Sequence, residues 1–403
     1  MTPTATDLER WLEADRQARP RRLERLRERL AAEGVDAYFG VRRENSRYLT
    51  GFDLADGEEK VAGNSGQFLV SADEVVVLAD SRYTLQAAEQ SPEARVERVY
   101  HDFAARWPAL IGSLRPVARP AADGSVRRLA AEAGFISQAT WARLAAAAPE
   151  VELVPVEGWV EEARATKEPA EIERIAAACA VADAALERLL PQIRPGVTEH
   201  ELALQLEWHM RTTGAEALAF AVACLAGPRA ALPHGSPTER QVAAGEVLLF
   251  DFGAQVCGYR SDMTRTLFIG QPAEGDRRIY QLVAAAQQAA LDALAAAAGA
   301  GAHPSGREID GIARGVIAEA GHGDHFGHGL GHGIGLATHE APNLGLSASD
   351  APLPSPTVFS VEPGVYLDGE TGVRIEDLVV FDPPAGRFER LTSFPREITV
   401  VGD

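Results

Sequence analysis

The chain has 403 residues, a length that favours two domains of unequal size over a single hydrophobic core. Hydrophobic residues make up 46% of it and charged residues 24%, which is ordinary for a soluble globular protein. Its 39 basic and 58 acidic residues give a formal charge of −19, which argues against nucleic acid or an anionic membrane as a partner.

Cysteine usage and the N-terminus favour a cytoplasmic protein. Cys179, Cys224 and Cys257 include no Cys-x-x-Cys pair, so we predict three buried thiols in a reducing compartment and no disulfide framework. The first residues also lack the charged-then-apolar layout of a secretion signal.

The first part of the chain alternates helical and extended patterns. Helices are predicted over residues 7–33, 81–90 and 136–148, and short apolar runs at 37–41, 67–70 and 75–78 are typical of strands. This alternation predicts an α/β domain over residues 1–160. It contains no cluster of metal ligands and no phosphate loop, so we expect a role in oligomerisation or in closing a substrate pocket.

A second domain is predicted over residues 161–403. A helix over 172–190 ends at Pro191, and Thr198 with Glu201 forms a capping box that begins another. Further helices (276–298 and 308–320) and strands (247–253, 263–269, 358–361 and 373–381) predict an α+β domain.

The apolar segment 283–302 is interrupted by polar residues such as Gln287 and Asp292. We therefore predict a packed helix there and not a membrane span.

Two carboxylates lie in the apolar stretch 247–268. If the turn is centred between Val256 and Cys257, Asp251 and Asp262 face each other across antiparallel strands, with Cβ atoms about 4.5–5.5 Å apart. Like charges so close need a shared proton or a cation between them.

Further metal-ligand types follow downstream. A Gly-rich segment, 327–339, contains several histidines, and Glu362 and Glu376 each follow an apolar run. Oxygen ligands with one nitrogen suit Mn²⁺, Co²⁺ or Zn²⁺, and four carboxylates favour two ions. The alternating glycines have no neighbouring lysine or strand–helix context for a phosphate loop, so we attribute them to close backbone approach to metals and substrate.

This order of acids and histidines resembles the pita-bread metallopeptidases, in the branch of prolidase (Xaa-Pro dipeptidase) and aminopeptidase P. The resemblance implies an α+β fold, with a C-terminal pita-bread domain and a smaller N-terminal α/β creatinase-like domain. It covers residues 161–403 and departs at Pro356–Thr357, where relatives usually have Gly-Met. By this resemblance the metal ligands are Asp251, Asp262, His332, Glu362 and Glu376, with Asp262 and Glu376 bridging the ions.

The same resemblance assigns roles around the metals. His234, His328 and His339 would hold substrate or pass protons, and Arg374 would support the ligands or bind the substrate carboxylate. Two divalent ions, with Mn²⁺ favoured over Co²⁺ and Zn²⁺, would balance four carboxylates and activate a bridging hydroxide, with Glu362 passing the proton.

The expected reaction is hydrolysis of Xaa-Pro dipeptides in a homodimer, with aminopeptidase P activity on longer peptides as the alternative. A non-catalytic pita-bread protein or a creatinase-type enzyme would be expected to lack some ligands, and methionine aminopeptidases usually lack a domain like residues 1–160.

Arg42, Arg43 and Arg47 occupy a predicted loop between Gly40 and Gly51. In dimers of prolidase-like enzymes the small domain approaches the neighbour's active site, so one of these arginines is a hypothetical contributor to pocket closure. Ordinary surface arginines are the favoured alternative.

Overall fold

The computed structural model describes residues 3–55, 63–118 and 125–402. The contacts separate the chain into one unit of Leu12–Ala163 and another of Arg164–Asp403 with Met1–Trp11. The N-terminal segment joins the second unit because Trp11 is buried there and its indole Nε1 donates to Glu173 at 2.9 Å.

The first unit contains one mixed sheet with strand order β4-β3-β2-β1-β5-β6. Strands β1, β5 and β6 are parallel, as are β3 and β4, whereas β2 is antiparallel to both neighbours. The predicted α/β alternation is therefore present. The elements that lie wholly or partly in this unit are α1 (Ala5–Ala32), β1 (Ala37–Gly40), α2 (Arg43–Thr50), β2 (Phe68–Val70), β3 (Val75–Ala79), α3 (Thr84–Gln90), β4 (Arg95–Arg98), α4 (Phe103–Gly112), β5 (Arg128–Glu132), α5 (Gln138–Ala147), β6 (Glu152–Val156) and α6 (Trp159–Ala165).

The predicted loop between Gly40 and Gly51 is wrong, because most of it is helix α2. The buried carboxylate of Glu132 accepts hydrogen bonds from the backbone N–H groups of Val41 and Arg42, both at 2.6 Å, and so anchors the start of the helix. The arginines of this segment form ion pairs within their own unit: Arg42 with Glu44 and Glu161, Arg43 with Glu44, and Arg47 with Asp53. A role in pocket closure stays a prediction.

The second unit contains two larger sheets, in the orders β20-β12-β9-β8 and β14-β13-β15-β18-β19. Their described strands pair antiparallel, except that the edge strand β20 is parallel to β12. Smaller sheets are β11-β10-β7 and β16-β17. The elements are α7 (Pro169–Leu189), α8 (Glu199–Thr213), β7 (Ala217–Leu218), β8 (Ala223–Ala226), β9 (Val247–Phe252), β10 (Ala254–Val256), β11 (Tyr259–Arg260), β12 (Met263–Ile269), α9 (Glu274–Ala300), α10 (Gly306–Glu319), β13 (Gly331–Gly333), β14 (Glu340–Leu344), β15 (Thr357–Val361), β16 (Gly364–Leu367), β17 (Thr371–Arg374), β18 (Asp377–Asp382), β19 (Arg387–Arg390) and β20 (Val400–Val401).

Strand β9 separates two hydrophobic cores. Leu248 and Phe250 pack in the core that contains α7 and α8, whereas Val247 and Leu249 pack in the core that contains α9 and α10. Because side chains alternate along a strand, Asp251 shares the face of Val247 and Leu249. The three cysteines are buried free thiols, as predicted.

Helix α9 is the one described helix that is long and apolar enough, by length and composition, to cross a bilayer. Its apolar face is nevertheless used by the second core, where Val283 and Leu294 are fully buried. Gln287 is buried as well, and its amide donates to the carbonyl oxygen of Val361 at 3.1 Å and to that of Ile375 at 3.2 Å. The helix therefore packs against strands, as its polar interruptions predicted.

The predicted single strand over residues 373–381 is wrong in one respect. Strand β17 pairs with β16 and ends at Arg374, whereas β18 begins at Asp377 and pairs with β15 and β19. The chain changes sheets at this break, and Glu376 lies within it.

Candidate metal centre

The hairpin that presents the first two carboxylates turns at Cys257 and Gly258. Both residues have positive φ, 46° and 80°, as a two-residue hairpin turn of the primed type requires. The strands consequently pair Asp251 with Thr264, so the predicted pairing of Asp251 with Asp262 is wrong. The observed pairing is shifted by two residues from the predicted one. Because side chains alternate between the two faces of a sheet, a shift by an even number leaves Asp262 on the predicted face.

The five predicted ligands approach one cavity from strand ends. Asp251 lies on β9, Asp262 directly before β12, His332 on β13, Glu362 directly after β15, and Glu376 between β17 and β18. They line a cavity of about 390 Å³. Ligand atoms of Asp262, His332 and Glu376 all lie within 4.8 Å of one another, so this group could hold a metal ion.

The donor set fits a divalent cation. Oε1 of Glu376 is buried and has no hydrogen-bond partner among the described residues, although a buried carboxylate oxygen normally needs one. Burial raises the pKa of Asp262 well above its ordinary value, and the charge of Glu376 raises it further. Burial and the charge of Glu362 likewise raise the pKa of Glu376 well above its ordinary value. A cation at this point would relieve the repulsion and supply the missing partner.

His332 and Glu362 form the polar contact at the centre of the group. Nε2 of His332 lies 3.3 Å from Oε1 of Glu362 and 3.7 Å from Oδ2 of Asp262. Although burial acts against both charges, their mutual hydrogen bond raises the pKa of His332 to about 9 and lowers that of Glu362 to about 2. Ser360 orients the pair, since its hydroxyl donates to Glu362 at 2.9 Å and accepts from the His332 backbone N–H at 3.0 Å.

Arg374 is buried and holds a metal-ligand candidate in place. Its Nη2 donates to Oδ2 of Asp251 at 2.6 Å, and its Nε donates to the Thr264 hydroxyl at 2.8 Å. That hydroxyl in turn donates to Oε2 of Glu376 at 2.7 Å. The Thr264 hydroxyl therefore links Arg374 to Glu376.

A hydrogen-bond chain connects Arg374 to His328. Nη1 of Arg374 donates to the Tyr366 hydroxyl at 2.9 Å, and that hydroxyl lies 2.8 Å from Nε2 of His328. Nδ1 of His328 faces the carbonyl of Gly329 at 2.8 Å, so it carries the proton and Nε2 accepts from Tyr366. Burial lowers the pKa of His328, consistent with this neutral form.

Tyr366→Phe is expected to lower kcat/KM for the peptide hydrolysis that the resemblance implies about 10–100-fold, because removing the hydroxyl disconnects Arg374 from His328. Steady-state kinetics at saturating metal would measure the effect. Tyr100→Phe, at an exposed tyrosine of the first unit, is the matched control and should leave the rate unchanged. If Tyr366→Phe kept the wild-type kinetic constants, the hydrogen bonds between Arg374, Tyr366 and His328 would have no role in catalysis.

The remaining predicted residues line the same cavity. His234 and His339 lie on its wall, and the His339 ring centroid is 4.3 Å from that of His332. Burial, followed by the charge of His332, lowers the pKa of His339. Sequence reasoning did not single out other lining residues, namely Phe220, Thr338 and Asn343. Ser360 and Tyr366 were also missed, although Ser360 shares a strand face with Glu362 at a spacing of two.

The alternating glycines permit close strand packing. A Cβ atom on Gly331 would lie 1.9 Å from the carbonyl oxygen of Ser360, and one on Gly333 would lie 2.0 Å from that of Ala341. These two glycines therefore let β13 pack closely against β15 and β14, and close approach to metals or substrate stays a prediction. Gly327 has no such neighbour in the part of the chain that is described.

Comparison with known proteins gives two family matches. The Creatinase/Prolidase N-terminal domain matches residues 22–166, and metallopeptidase family M24 matches residues 173–383. An uncharacterized peptidase of Bacillus subtilis, YqhT, is 34% identical over 94% of this chain and 100% of its own length.

Two solved structures are similar over nearly the whole chain. A Xaa-Pro dipeptidase from Bacillus anthracis has a TM-score of 0.83 and 32% identity, covering 94% of this chain and 99% of its own. An X-Pro aminopeptidase from Thermotoga maritima has a TM-score of 0.81 and 35% identity, with the same coverage. These matches and the geometry above show that the chain belongs to metallopeptidase family M24, in its prolidase and aminopeptidase P branch, and is a metallopeptidase with a creatinase-type N-terminal domain and a pita-bread catalytic domain.

Proposed function

We propose that this enzyme is a dinuclear metal-dependent exopeptidase that hydrolyses the bond between an N-terminal residue and proline. The observation that carries the proposal is the convergence of Asp262, His332 and Glu376 within 4.8 Å, with a buried Glu376 oxygen that lacks a described partner. Asp251 and Glu362 face the same cavity and complete a set of four carboxylates and one imidazole. Such a set has enough negative charge for two divalent ions.

The bound ions would polarise the scissile carbonyl and lower the pKa of a water molecule toward about 7. Glu362, which contacts Ser360 and His332, would accept a proton and return it to the leaving nitrogen. His234 and His339 line the cavity and would donate hydrogen bonds to the developing oxyanion. Arg374 would orient Asp251, and its charge opposes the burial that raises the pKa of that carboxyl.

Metal dependence gives the first test. The chain is treated with a chelator, dialysed, and assayed on a Xaa-Pro dipeptide and a Xaa-Pro-Yaa tripeptide with added Mn²⁺, Co²⁺ or Zn²⁺. We expect no hydrolysis without metal and the highest rate with Mn²⁺, because oxygen donors dominate the set. Full activity of metal-free protein, or no activity with any ion on either peptide, would contradict the proposal.

Arg374 also bears on substrate length. It is the one permanent cation among the described residues that line the cavity. Four of its five N–H groups are engaged, by Thr264, Pro233, Tyr366 and Asp251. Bidentate binding of a substrate carboxylate needs two free N–H groups, so Arg374 is poorly suited to recognise the free carboxylate of a dipeptide. This observation favours the second candidate, an Xaa-Pro aminopeptidase that accepts longer peptides.

Three substrates with the same first two residues separate the candidates: Xaa-Pro, its C-terminal amide, and Xaa-Pro-Yaa. If no cation in the cavity binds the carboxylate, the amide and the tripeptide should be cleaved at least as efficiently as the free dipeptide. A kcat/KM about tenfold or more higher for the free dipeptide would instead favour the Xaa-Pro dipeptidase expected from the sequence.

A further inference from the structure

Two histidines that do not line the cavity lie side by side in the turn after helix α10. Nδ1 of His322 is 3.2 Å from Nδ1 of His325, and the centroids of the two rings are 5.3 Å apart. His325 is exposed and His322 is half-buried, so solvent reaches both rings. These two residues are here called the turn histidines.

The backbone of the turn fixes this geometry. The N–H of His325 donates to the carbonyl oxygen of His322 at 2.9 Å and closes a 3₁₀ turn over Gly323–His325. Residues three apart in such a turn eclipse each other, so the two rings project from the same side. The turn is held at both ends, because the His322 N–H donates to the carbonyl oxygen of Ile317 at 3.1 Å and Phe326 is buried.

The spacing of the two nitrogens suits one shared transition-metal ion. Imidazole nitrogens bind Zn²⁺ at about 2.0–2.1 Å, so two of them at a tetrahedral angle lie about 3.3 Å apart. At a square-planar angle, as Cu²⁺ prefers, the same bond lengths bring them to about 2.9 Å. The observed distance of 3.2 Å falls between these values. An N–H···N hydrogen bond between neutral rings is the alternative at this distance.

The ligand type determines which ion would bind there. Two imidazoles hold Cu²⁺, Ni²⁺ and Zn²⁺ more tightly than they hold Mn²⁺. The cavity set has four carboxylates and one imidazole, so the two places differ in metal preference. Asp324 lies between the turn histidines in the sequence and is exposed, and the net charge of −19 attracts cations to the protein.

We infer that the turn histidines form a second metal site, which takes one Cu²⁺, Ni²⁺ or Zn²⁺ ion. Among the described residues no third His, Cys, Asp or Glu side chain joins them, because the group of three that could hold a metal ion is Asp262, His332 and Glu376. Water molecules complete the coordination. Structural zinc sites have four protein ligands, so an ion held by two is exchangeable and the fold does not require it. The inference is independent of the proposed peptidase reaction.

Equilibrium dialysis against Cu²⁺, in the presence of excess Mn²⁺, measures the site directly. The wild type should bind one more Cu²⁺ per chain than His322→Ala/His325→Ala, because ions bound in the cavity are common to both proteins. Electron paramagnetic resonance of this additional ion should show two coordinated imidazole nitrogens. If the wild type bound no more Cu²⁺ than the double variant, the turn histidines would share only a hydrogen bond and the inference would be wrong.

Single variants distinguish a shared ion from two separate surface histidines. His322→Ala and His325→Ala should each weaken binding of the additional ion at least about tenfold, nearly as much as the double variant, because one ion needs both ligands. Two partial losses that add up to the loss in the double variant would contradict a shared site.

His101→Ala/His200→Ala is the matched control, because it removes two exposed histidines that are 99 residues apart in the sequence. This protein should keep the additional ion, and its loss there would also overturn the inference. Thermal unfolding of the metal-free proteins should give the same midpoint for all variants, since the turn histidines are not needed for the fold.

Discussion

Glu376→Gln is expected to lower kcat/KM for Xaa-Pro hydrolysis by a factor of about 10³ or more. The carboxylate of Glu376 supplies a buried oxygen with no described partner at the point where Asp262 and His332 converge. An amide keeps the volume and one acceptor but removes a charge that a divalent ion needs. Steady-state kinetics at increasing Mn²⁺ would measure the loss and would show whether excess metal restores any activity.

Glu370→Gln is the matched control. Glu370 is exposed in the turn between β16 and β17, in the hairpin that precedes Glu376, and it does not line the cavity. Its substitution removes the same charge at a similar position along the chain and should leave kcat/KM within about a factor of two. Wild-type activity in Glu376→Gln would exclude this carboxylate from the metal centre.

Glu340→Gln is expected to destabilise the second unit by about 3–5 kcal/mol, as measured by denaturant unfolding. The Glu340 carboxylate is buried between Arg164 and Lys167, and Lys167 Nζ lies 2.9 Å from its Oε1. The amide would leave two buried cations without their anion. Glu389→Gln, at an exposed pair with Arg387, is the control and should cost less than about 1 kcal/mol.

The same group predicts a pH dependence. Burial acts against the charge of Glu340, but Arg164 and Lys167 outweigh it and lower its pKa to about 2 from an ordinary value of 4.5. A carboxyl group with a depressed pKa stabilises the fold above its unfolded pKa, and that stabilisation is lost as the pH falls from 4.5 toward 2. The loss amounts to about 3 kcal/mol. The free energy of unfolding, measured across this pH range, should fall less steeply with decreasing pH in Glu340→Gln than in the wild type. Equal slopes would contradict the lowered pKa of Glu340.

The metal-ligand candidates were accessible from the sequence because each lies beside a strong local pattern. Asp251 and Asp262 flank an apolar hairpin, and Glu362 and Glu376 follow buried runs, so their residue types and order indicated a metal centre before any geometry was known. The helices α7 to α10 were predicted within a few residues for a similar reason, since capping residues and apolar periodicity are local signals.

The wrong predictions concern features that depend on backbone conformation or on contacts between distant parts of the chain. The hairpin register depended on whether Cys257 adopts a positive φ, which is uncommon for a residue other than glycine. The break between β17 and β18 comes from a change of strand partner, and residues 373–381 look like one apolar run without knowledge of those partners. Three of the four groups that accept hydrogen bonds from Arg374, in Thr264, Pro233 and Asp251, likewise lie more than 100 residues away along the chain.

The most direct measurement is the number of metal ions bound per chain, by elemental analysis after equilibrium dialysis against Mn²⁺, for the wild type and for Glu376→Gln. Four carboxylates and an imidazole around one cavity predict two ions per wild-type chain and fewer than one in the variant at the same metal concentration. A wild-type chain that retains no metal, or a variant that binds as many ions as the wild type, would contradict a dinuclear centre at these residues.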